Sequence, residues 1–388
     1  MTIRALVIAA TGAVLGALSV AVPAEAATGS PCPKGYFCGW KGDNATGSMM
    51  KTKTNMASLG SFNGKLKTIA NRTSSVVCLY GTDGTYTSQL PGGAGEWAGG
   101  SYLREMTSLK FFKTERECTE PPYGWWLAEK SPAKAGFGDI DGDRYGDVLS
   151  RDLAGRLWFV PGSDGTGRLI GSGWNSMTAM TRHGDFTGDG IEDLLARDKD
   201  GKLWLYPATG RGGFLSRRLI GPGWNTMTRI AAAGDLTGDG KNDLLAVDKT
   251  GKLWLYPGTG HSHLMNRRLV GGGWNTMNAL TGPGDLNGDK KNDLLARDTT
   301  GKLWLYPGTG HSTFGTRKLI GPGWNAMDSL ISVGDTNSDG TNDLNTVTNQ
   351  TYHGGDEGRQ LLYPGTGHGT FRAAAVQDSG WYGLNGTF

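Results

Sequence analysis

The sequence is poor in the features that mark helical proteins, membrane spans and familiar catalytic sites. After residue 26 it has no apolar run long enough to cross a bilayer, and no stretch shows the 3.6-residue apolar periodicity of an amphipathic helix. Gly-x-Ser-x-Gly, His-Glu-x-x-His and phosphate-binding glycine motifs are all missing. These absences exclude helical solenoids and argue against an enzyme, a nucleic-acid-binding protein or a membrane-inserted domain.

Cysteine is scarce and unevenly placed, since the chain has only four, all of them before residue 119. An even number of cysteines within about 90 residues is typical of disulfides in an exported segment. Three pairings are open for Cys32, Cys38, Cys78 and Cys118, and closeness along the chain favours Cys32 with Cys38 and Cys78 with Cys118.

The N-terminal residues 1–26 have the composition of a secretory signal peptide. Arg4 precedes an apolar run from Ala5 to Val22, and Ala24-Glu25-Ala26 forms a small-x-small cleavage signature. A membrane anchor is the alternative, but the run is rich in alanine and glycine and ends at the cleavage signature. The sequence therefore predicts a secreted, extracellular protein.

Residues 28–120 form a first domain with a faint internal duplication. Cys38-Gly39-Trp40 recurs as Cys78-Leu79-Tyr80, which predicts two short Greek keys. The Cys-Pro-x-Gly-Tyr-x-Cys motif at 32–38 and the run from Asn71 to Tyr80 resemble the secreted peptidase inhibitor I36 family. That resemblance implies a βγ-crystallin-like fold and protease inhibition, while a disulfide-bonded adhesion or spacer module is the alternative. Prolines and charged residues indicate a linker over 121–135.

Five copies of a nine-residue acidic loop organise the rest of the chain. They begin at Asp139, Asp185, Asp235, Asp285 and Asp335, with Asp at the first, fifth and ninth places and Asp, Thr or Asn at the third. Oxygen-bearing side chains on alternate residues suit a hard cation such as calcium, and a glycine at the fourth place of four copies lets the backbone curl. No Glu occupies the twelfth place and strand-like runs flank the loop, so an EF-hand is not expected.

The loops recur after 46 and then every 50 residues, which is the length of a four-stranded propeller blade. Each unit continues with an apolar run, a turn, Gly-Lys-Leu-Trp-Leu-Tyr-Pro or a variant, and Arg-Leu-Ile-Gly-x-Gly-Trp-Asn or a variant. About four short strands per unit follow from this pattern. The Gly-Trp motifs near both ends, at Trp125 and Trp381, indicate that the two ends complete one shared blade.

The units resemble FG-GAP, or VCBS, repeats, the β-propeller units that integrin α heads also use. Phe137-Gly138 and Tyr206-Pro207-Ala208-Thr209-Gly210 match the family signposts loosely, and the acidic loop matches closely. The resemblance implies calcium held by the side chains at places one, three, five and nine and by the carbonyl at place seven. The predicted calcium ligands are Asp139, Asp141, Asp143, Tyr145 and Asp147; Asp185, Thr187, Asp189, Ile191 and Asp193; Asp235, Thr237, Asp239, Lys241 and Asp243; Asp285, Asn287, Asp289, Lys291 and Asp293; and Asp335, Asn337, Asp339, Thr341 and Asp343.

The fifth unit departs from the others. Ser338 replaces the loop glycine, and Tyr352 to Arg359 replaces the compact Gly-Lys turn. If one loop is empty of metal, we expect it to be this one.

Two sets of repeated tryptophans are candidate ligand-binding residues, because an indole face can stack on a pyranose. The strand set is Trp158, Trp204, Trp254 and Trp304, and the alternative role for it is filling the wedges between blades. The second set follows the glycines, and each of its members precedes an asparagine. We predict ligand binding at Trp174, Asn175, Trp224, Asn225, Trp274, Asn275, Trp324 and Asn325.

Charge supports an anionic partner. Sixteen of the 36 acidic residues are loop aspartates, so bound cations would leave a basic surface carrying 39 Lys and Arg. The alternative is that these residues only solvate blade edges. Five near-identical units also resemble, in architecture, tachylectin-type propellers, which bind amino sugars between blades.

Together these patterns predict an all-β protein. A small disulfide-bonded βγ-crystallin-like Greek-key domain (28–120) and a linker (121–135) precede a five-bladed β-propeller (136–388). The expected function is multivalent binding of carbohydrate or cell-wall glycan by a non-enzymatic, calcium-binding lectin-like protein with five equivalent sites. The alternatives are a secreted protease inhibitor whose propeller is an anchor or protein-docking platform, and the lectin subunit of a secreted antagonistic toxin particle.

Overall fold

The computed structural model describes residues 32–81, 86–91, 101–112, 118, 124–130, 137–152, 155–354, 357–381 and 384–388. The predicted signal peptide (1–26) and much of the predicted linker lie outside these ranges. The described residues form β-strands joined by turns and single 3₁₀ turns. None of the helices in them is long and apolar enough to cross a bilayer.

The N-terminal unit consists of two three-stranded antiparallel sheets, ordered β2-β1-β3 and β5-β4-β6. One core formed by Phe37, Leu66, Val77, Leu79 and Leu109 packs them together. Disulfides join Cys32 to Cys38 and Cys78 to Cys118, the pairing that sequence proximity favours. The strands are β1 (Phe37–Trp40), β2 (Met49–Thr52), β3 (Thr68–Asn71), β4 (Val76–Gly81), β5 (Tyr86–Gln89) and β6 (Met106–Phe112), with 3₁₀ turns at Gly60–Phe62 and Ser101–Arg104.

The repeats form five four-stranded antiparallel sheets in a propeller-like arrangement. The first sheet contains β7 (Val148–Asp152), β8 (Leu157–Val160) and β9 (Arg168–Gly171), and the chain's last strand, β26 (Leu384–Thr387), completes it. The others are β10 (Met177–Thr181), β11 (Leu194–Asp198), β12 (Leu203–Tyr206) and β13 (Arg218–Gly221); β14 (Met227–Ala232), β15 (Leu244–Asp248), β16 (Leu253–Tyr256) and β17 (Arg268–Gly271); β18 (Met277–Gly284), β19 (Asp293–Asp298), β20 (Leu303–Tyr306) and β21 (Lys318–Gly321); and β22 (Met327–Ile331), β23 (Leu344–Thr348), β24 (Arg359–Tyr363) and β25 (Ala375–Ser379).

Each connection between successive sheets passes through a glycine and a 3₁₀ turn. Gly173 adopts a φ of 91° immediately before the first of these turns, a conformation that glycine takes without steric cost. The four connecting turns begin with the tryptophans of the Gly-Trp-Asn motif and span Trp174–Ser176, Trp224–Thr226, Trp274–Thr276 and Trp324–Ala326. A further 3₁₀ turn, Tyr352–Gly354, follows β23 within the fifth sheet.

The inner strands are buried on both faces because each sheet packs against its neighbours. Leu149 and Phe159 of the first sheet share a buried cluster with Leu194 and Ala196 of the second. Equivalent clusters join the second sheet to the third, the third to the fourth, and the fourth to the fifth.

The fifth sheet also packs against the first, along a junction that we call the seam. Val148 and Val160 of the first sheet contact Ile331 and Val347 of the fifth, together with two fully or almost fully buried indoles. These indoles belong to Trp126 and Trp381 and meet edge to face, with centroids 6.4 Å apart. Both Gly-Trp motifs at the chain ends therefore lie at the seam, although only the C-terminal segment contributes a strand.

Part of the segment assigned to the linker from its sequence belongs to this packing. The indole Nε1 of Trp126 donates to the carbonyl of Gly146 at 2.8 Å. Ala128 N donates to Gly162 O, and Glu129 N donates to Thr336 O. Residues 124–130 thus connect the first and fifth units.

Trp126→Ala should lower the free energy of unfolding by about 3–5 kcal/mol, because it empties a buried site and removes a hydrogen bond. Trp125→Ala is the matched control, since that side chain is 46% exposed, and it should change stability by less than about 1 kcal/mol. Urea denaturation of the disulfide-bonded protein measures both. Equal effects of the two variants would show that the segment does not hold the seam together.

Candidate functional sites: acidic loops and junction pockets

The acidic loops lie at the same place in each sheet, just before the second strand. The ninth aspartate of every loop is almost fully buried and joins the loop to the turn after the third strand. In the first loop Asp147 accepts hydrogen bonds from Ile140 N at 2.8 Å and Gly162 N at 3.1 Å. The equivalent pairs of donors are Phe186 and Ala208 to Asp193, Leu236 and Gly258 to Asp243, Leu286 and Gly308 to Asp293, and Thr336 and Gly365 to Asp343.

The first aspartate of each loop curls the backbone around its carboxylate. Asp185 accepts hydrogen bonds from Gly188 N at 2.6 Å and Gly190 N at 2.7 Å. Asp235 makes the same two contacts with Gly238 and Gly240. The sequence thus folds each loop so that the carboxylates at places one and nine converge.

The first loop brings three carboxylates together. One oxygen atom from each of Asp139, Asp141 and Asp147 lies within 4.8 Å of the others. Burial, and then the charge of Asp141, raise the pKa of Asp147 to about 8. Burial, followed by the charge of Asp143, raises the pKa of Asp141 to about 6. Such a cluster is strained as a set of anions, and a bound cation would relieve it.

The other loops keep the buried aspartate at the ninth place but have a different residue at the third place. Burial is the main cause that raises the pKa of Asp193 to about 7 and the pKa values of Asp243 and Asp293 to about 6. Thr187 and Thr237 offer a hydroxyl at the third place, and Asn287 and Asn337 offer an amide oxygen. All are oxygen donors, so the residues present fit a hard divalent cation in every loop, with the most anionic set in the first.

The fifth loop differs in its neighbours as well as in its sequence. The guanidinium of Arg372 forms an ion pair with Asp339 at 2.7 Å, and Asp339 is a predicted ligand. Leu215, Met265 and Gly315 occupy the equivalent position in the three preceding units, where the same backbone hydrogen bond to proline is made. Arg168 also lies 3.6 Å from Asp141 of the first loop, but among the described residues the closest contact between a fixed positive charge and a predicted ligand is the one in the fifth loop.

Successive loops are joined by the eighth residue. Asn242, Asn292 and Asn342 each donate through Nδ2 to the carbonyl of the first aspartate in the preceding loop, at 3.0–3.1 Å. In the second loop this residue is Glu192, fully buried and paired with Arg182. Sequence reasoning missed this link because its partner is 57 residues away in the chain.

The two tryptophan sets occupy different environments. The predicted ligand-binding rings of Trp174, Trp224, Trp274 and Trp324 are only 6–9% exposed and pack in the wedges between sheets. Each indole ring packs against the ring of a tyrosine of the following sheet, and the two ring centroids lie 4.6–4.8 Å apart. Trp204, Trp254 and Trp304 of the strand set are half-buried instead, whereas Trp158 of the first sheet is buried.

A pocket opens where the connecting turn of one sheet meets the next sheet, and we call it a junction pocket. The first has a volume of about 300 Å³ and is lined by Ser172, Gly173, Trp174, Ser176, Met177, Tyr206 and Arg217. The third has a volume of about 410 Å³ and is lined by the equivalent residues Gly272, Gly273, Trp274, Thr276, Met277, Tyr306 and Arg317. The predicted Trp174 and Trp274 thus line pockets, whereas Asn175 and Asn275 are exposed outside them.

Buried arginines hold the connecting turns in place. Arg151 donates through Nη1 to the carbonyls of Trp174 at 3.2 Å and Met177 at 2.8 Å. Arg297 makes the same contacts with Trp324 and Met327. Burial lowers the pKa of each arginine, although not enough to discharge a guanidinium at neutral pH.

Tyrosine and arginine are the pocket residues that sequence reasoning missed. Arg217 lies over the ring of Trp204, 4.0 Å from its centroid, and donates to the hydroxyl of Tyr206 at 3.2 Å. The same pair recurs as Tyr256 with Arg267 and as Tyr306 with Arg317. The signal was an eleven-residue spacing between tyrosine and arginine, repeated every 50 residues.

The complete set of tryptophan, tyrosine and arginine occurs at three junctions. At the fourth, Trp324 packs on Tyr363, but Leu361 and Ala374 replace the strand tryptophan and the arginine. At the seam, Val160 stands in place of the tyrosine. Of the five junctions, three thus carry the complete residue set, with pockets described at two of them, and the other two junctions diverge.

Two family models match the chain, one in its N-terminal part and one in its repeats. Residues 25–90 match the model of peptidase inhibitor family I36. Three overlapping segments, 185–246, 235–296 and 285–345, match the FG-GAP-like repeat. No curated protein sequence matches the chain.

Several solved structures resemble the chain at low TM-scores. An Agrocybe aegerita lectin described as recognising non-reducing terminal N-acetylglucosamine is 15% identical, with a TM-score of 0.39, covering 92% of this chain and 95% of its own. The BP39L lectin from Burkholderia pseudomallei is 14% identical, with a TM-score of 0.38, covering 63% and 69%. AofleA from Arthrobotrys oligospora is 10% identical, with a TM-score of 0.35, covering 65% and 75%.

Similarity at this level says nothing about the ligand of the present protein. The family matches, in contrast, confirm both resemblances that the sequence motifs indicated: the chain joins a peptidase inhibitor family I36 segment to FG-GAP-like repeats.

Proposed function

We propose that the protein is a secreted, non-enzymatic, lectin-like protein that binds glycans through its junction pockets. Its five sheets form a closed five-bladed propeller in which calcium ions hold the acidic loops. The pairing of β26 with β7 and the seam around Trp126 support closure. The disulfides of the N-terminal unit support an oxidising, extracellular location.

The observation that carries the glycan proposal is the repeated chemistry of the junction pockets. Each complete pocket has an aromatic wall, a tyrosine hydroxyl, a serine or threonine hydroxyl and a guanidinium within a few hundred Å³. An apolar wall with a few fixed polar groups is what a sugar ring with its hydroxyls requires.

The hydrogen-bonding capacity of these groups is partly free. Ser176 Oγ donates to Gly173 O at 2.7 Å, which leaves its lone pairs available as acceptors. Tyr206 accepts a hydrogen bond from Arg217, which leaves its own O–H available as a donor. The indole Nε1 of Trp174 makes no hydrogen bond to any residue in the described part of the chain. The pocket thus offers both donors and acceptors, which suits sugar hydroxyls because each of them can donate and accept.

Three equivalent pockets on one rigid body suit a ligand that repeats. Binding of the second and third sugar units becomes intramolecular, so weak individual sites give a strong total affinity. Cell-wall and other envelope glycans present such repeated units.

Calcium has a structural role in this proposal. Asp139, Asp141, Asp143 and Asp147 would hold it in the first loop, and the corresponding oxygen donors would hold it in the others. The ion neutralises buried carboxylates that connect each loop to the following turn. It supplies no reaction chemistry here.

A second candidate function is inhibition of a secreted peptidase by the N-terminal unit. The match of residues 25–90 to peptidase inhibitor family I36 favours it. Inhibition assays with the full chain against secreted metallopeptidases test this activity independently of glycan binding.

Removal of calcium should lower the melting temperature by at least about 5 °C. One site saturated at a hundred times its Kd stabilises the folded state by about 2.7 kcal/mol, and each kcal/mol shifts the melting temperature of a unit this size by about 2–4 °C. Calorimetry with and without excess chelator measures the shift. Asp143→Ala should reduce it and Asp164→Asn, at an exposed turn, should not; an unchanged melting temperature would contradict the metal proposal.

Arg372→Leu should tighten the weakest calcium site by up to about fivefold, because it removes a surface ion pair that competes for Asp339. Calcium titration against a chromophoric chelator gives the affinity of each class of site. Arg211→Leu removes an exposed arginine outside the loops and serves as the control. Tightening by both variants to the same extent would indicate a general charge effect.

Filling the three complete pockets should abolish glycan binding. Ser172, Pro222 and Gly272 lie at equivalent exposed positions, and a Cβ at Gly272 meets no atom within 4 Å, so tyrosine fits at each without disturbing the core. A glycan array with the triple variant should show a loss of about tenfold or more in apparent affinity for every sugar that the parent binds. Pro322→Tyr, at the divergent fourth junction, should bind like the parent. A blank array with the parent itself would falsify the glycan proposal.

A further inference from the structure

We propose that the three complete junction pockets select sugars that carry a carboxylate, such as hexuronic acids, and that Arg217, Arg267 and Arg317 recognise this group. The inference rests on the proposed function, since it names the class of glycan that the pockets take. A carboxylate site needs a positioned cationic side chain that has no carboxylate partner within the protein. This side chain must lie at a pocket that also suits a sugar ring.

The position of each guanidinium is fixed by two contacts. Its carbon lies 4.0–4.1 Å from the centroid of a strand tryptophan, which holds the guanidinium over an aromatic face. One of its nitrogen atoms donates to the tyrosine hydroxyl at 3.1–3.4 Å. The same geometry recurs in three repeats, so each guanidinium, although exposed, is held in a defined position.

The aspartates that end the second strand of each sheet do not form ion pairs with these arginines. Asp198, Asp248 and Asp298 accept hydrogen bonds from the indole Nε1 of the same tryptophans at 2.7–2.9 Å. Hydrogen bonds from Thr250 and Trp254 hold the pKa of Asp248 well below its usual range. The carboxylate is thus bound at the ring edge, and none of the three guanidinium groups forms an ion pair within the described ranges of the chain.

The pocket walls contain no competing anion. Neither the first nor the third pocket has an aspartate or glutamate among its lining residues. A guanidinium has five N–H donors, and the described contacts use one of them. Two parallel donors can therefore meet the two oxygens of a planar carboxylate, a geometry that lysine cannot provide.

The fourth junction lacks both the arginine and its tryptophan, and the first sheet keeps the tryptophan without an arginine at the same place. At the fourth junction both are replaced, by Ala374 and Leu361, although the packing of Trp324 on Tyr363 is retained. In the first sheet, Gly167 precedes β9 and Trp158 is covered by Arg156, whose charge pairs with Asp152. The fourth junction therefore shows that the packing of tryptophan on tyrosine does not need the stacked arginine, which supports a role for this arginine in the pocket.

The test compares a hyaluronan oligosaccharide with the same oligosaccharide after its carboxyl groups are reduced to alcohols. The calcium-loaded full chain should bind the acidic form about tenfold or more tightly than the reduced form, since hydrogen bonds to charged groups contribute about 1.5–3 kcal/mol. Changing Arg217, Arg267 and Arg317 together to Lys keeps the charge and should reduce this preference to about twofold or less. Changing Lys34, Lys51 and Lys53 of the N-terminal unit to Ala removes three exposed charges and should leave the preference unchanged. Melting curves confirm that each variant is folded.

Equal binding of the acidic and reduced oligosaccharides by the parent would overturn the carboxylate assignment while leaving glycan binding intact. Retention of the preference by the triple lysine variant would overturn the role of the three arginines. Poly(glycerol phosphate) bound as tightly as the acidic oligosaccharide would show that any anion suffices and would also overturn it. Binding of neither oligosaccharide, with only neutral sugars positive on an array, would do the same; a blank array would count against the proposed function itself.

Discussion

The interaction on which the repeats depend is the pair of hydrogen bonds that each buried ninth aspartate accepts from its own loop and from the turn after the third strand. In the second unit these donors are Phe186 N and Ala208 N, and together they fix the loop to the turn. The cost is a carboxylate removed from water beside other carboxylates, which is why burial raises the pKa of every ninth aspartate. The proposed cation would offset this cost, so the proposed metal binding and the stability of the repeats are linked by electrostatics.

Repetition also determines where the units can differ. A loop, a sheet face and a connecting turn must each fit the neighbouring unit, so the buried leucines of successive sheets change little. The groups that reach solvent at a junction are not constrained in this way. Arg217, Arg267 and Arg317 lie outside the core, and the fourth junction packs well without an equivalent. The residues that complete these three junctions are therefore not required for the packing of the sheets.

Much of the fold could be predicted from the sequence, because its signals lie within one repeat. The acidic loop, the four short strands and the cysteine pairing all depend on residues close together in the chain. The pockets could not be predicted in the same way, because their walls come from two successive units. Trp174 follows the last strand of one sheet and packs on Tyr206 of the next, so its burial is decided by a partner outside its own motif. Three of the four strand tryptophans, Trp204, Trp254 and Trp304, are half-buried and carry stacked arginines from their own sheet.

The first sheet is completed by the last strand of the chain, since β26 pairs with β7. Arg151 and Asn385, which are bonded across this pair, stand 234 positions apart. Such a contact closes a very long loop, and its entropy must be lost before the pair gains anything. During synthesis the first unit therefore keeps one unpaired strand edge until the last residues of the chain are available. A chain that lacks its last few residues would lose the pairing of β26 with β7 while keeping nearly all of its sheets. The unpaired edge of β7 would then be exposed to other molecules.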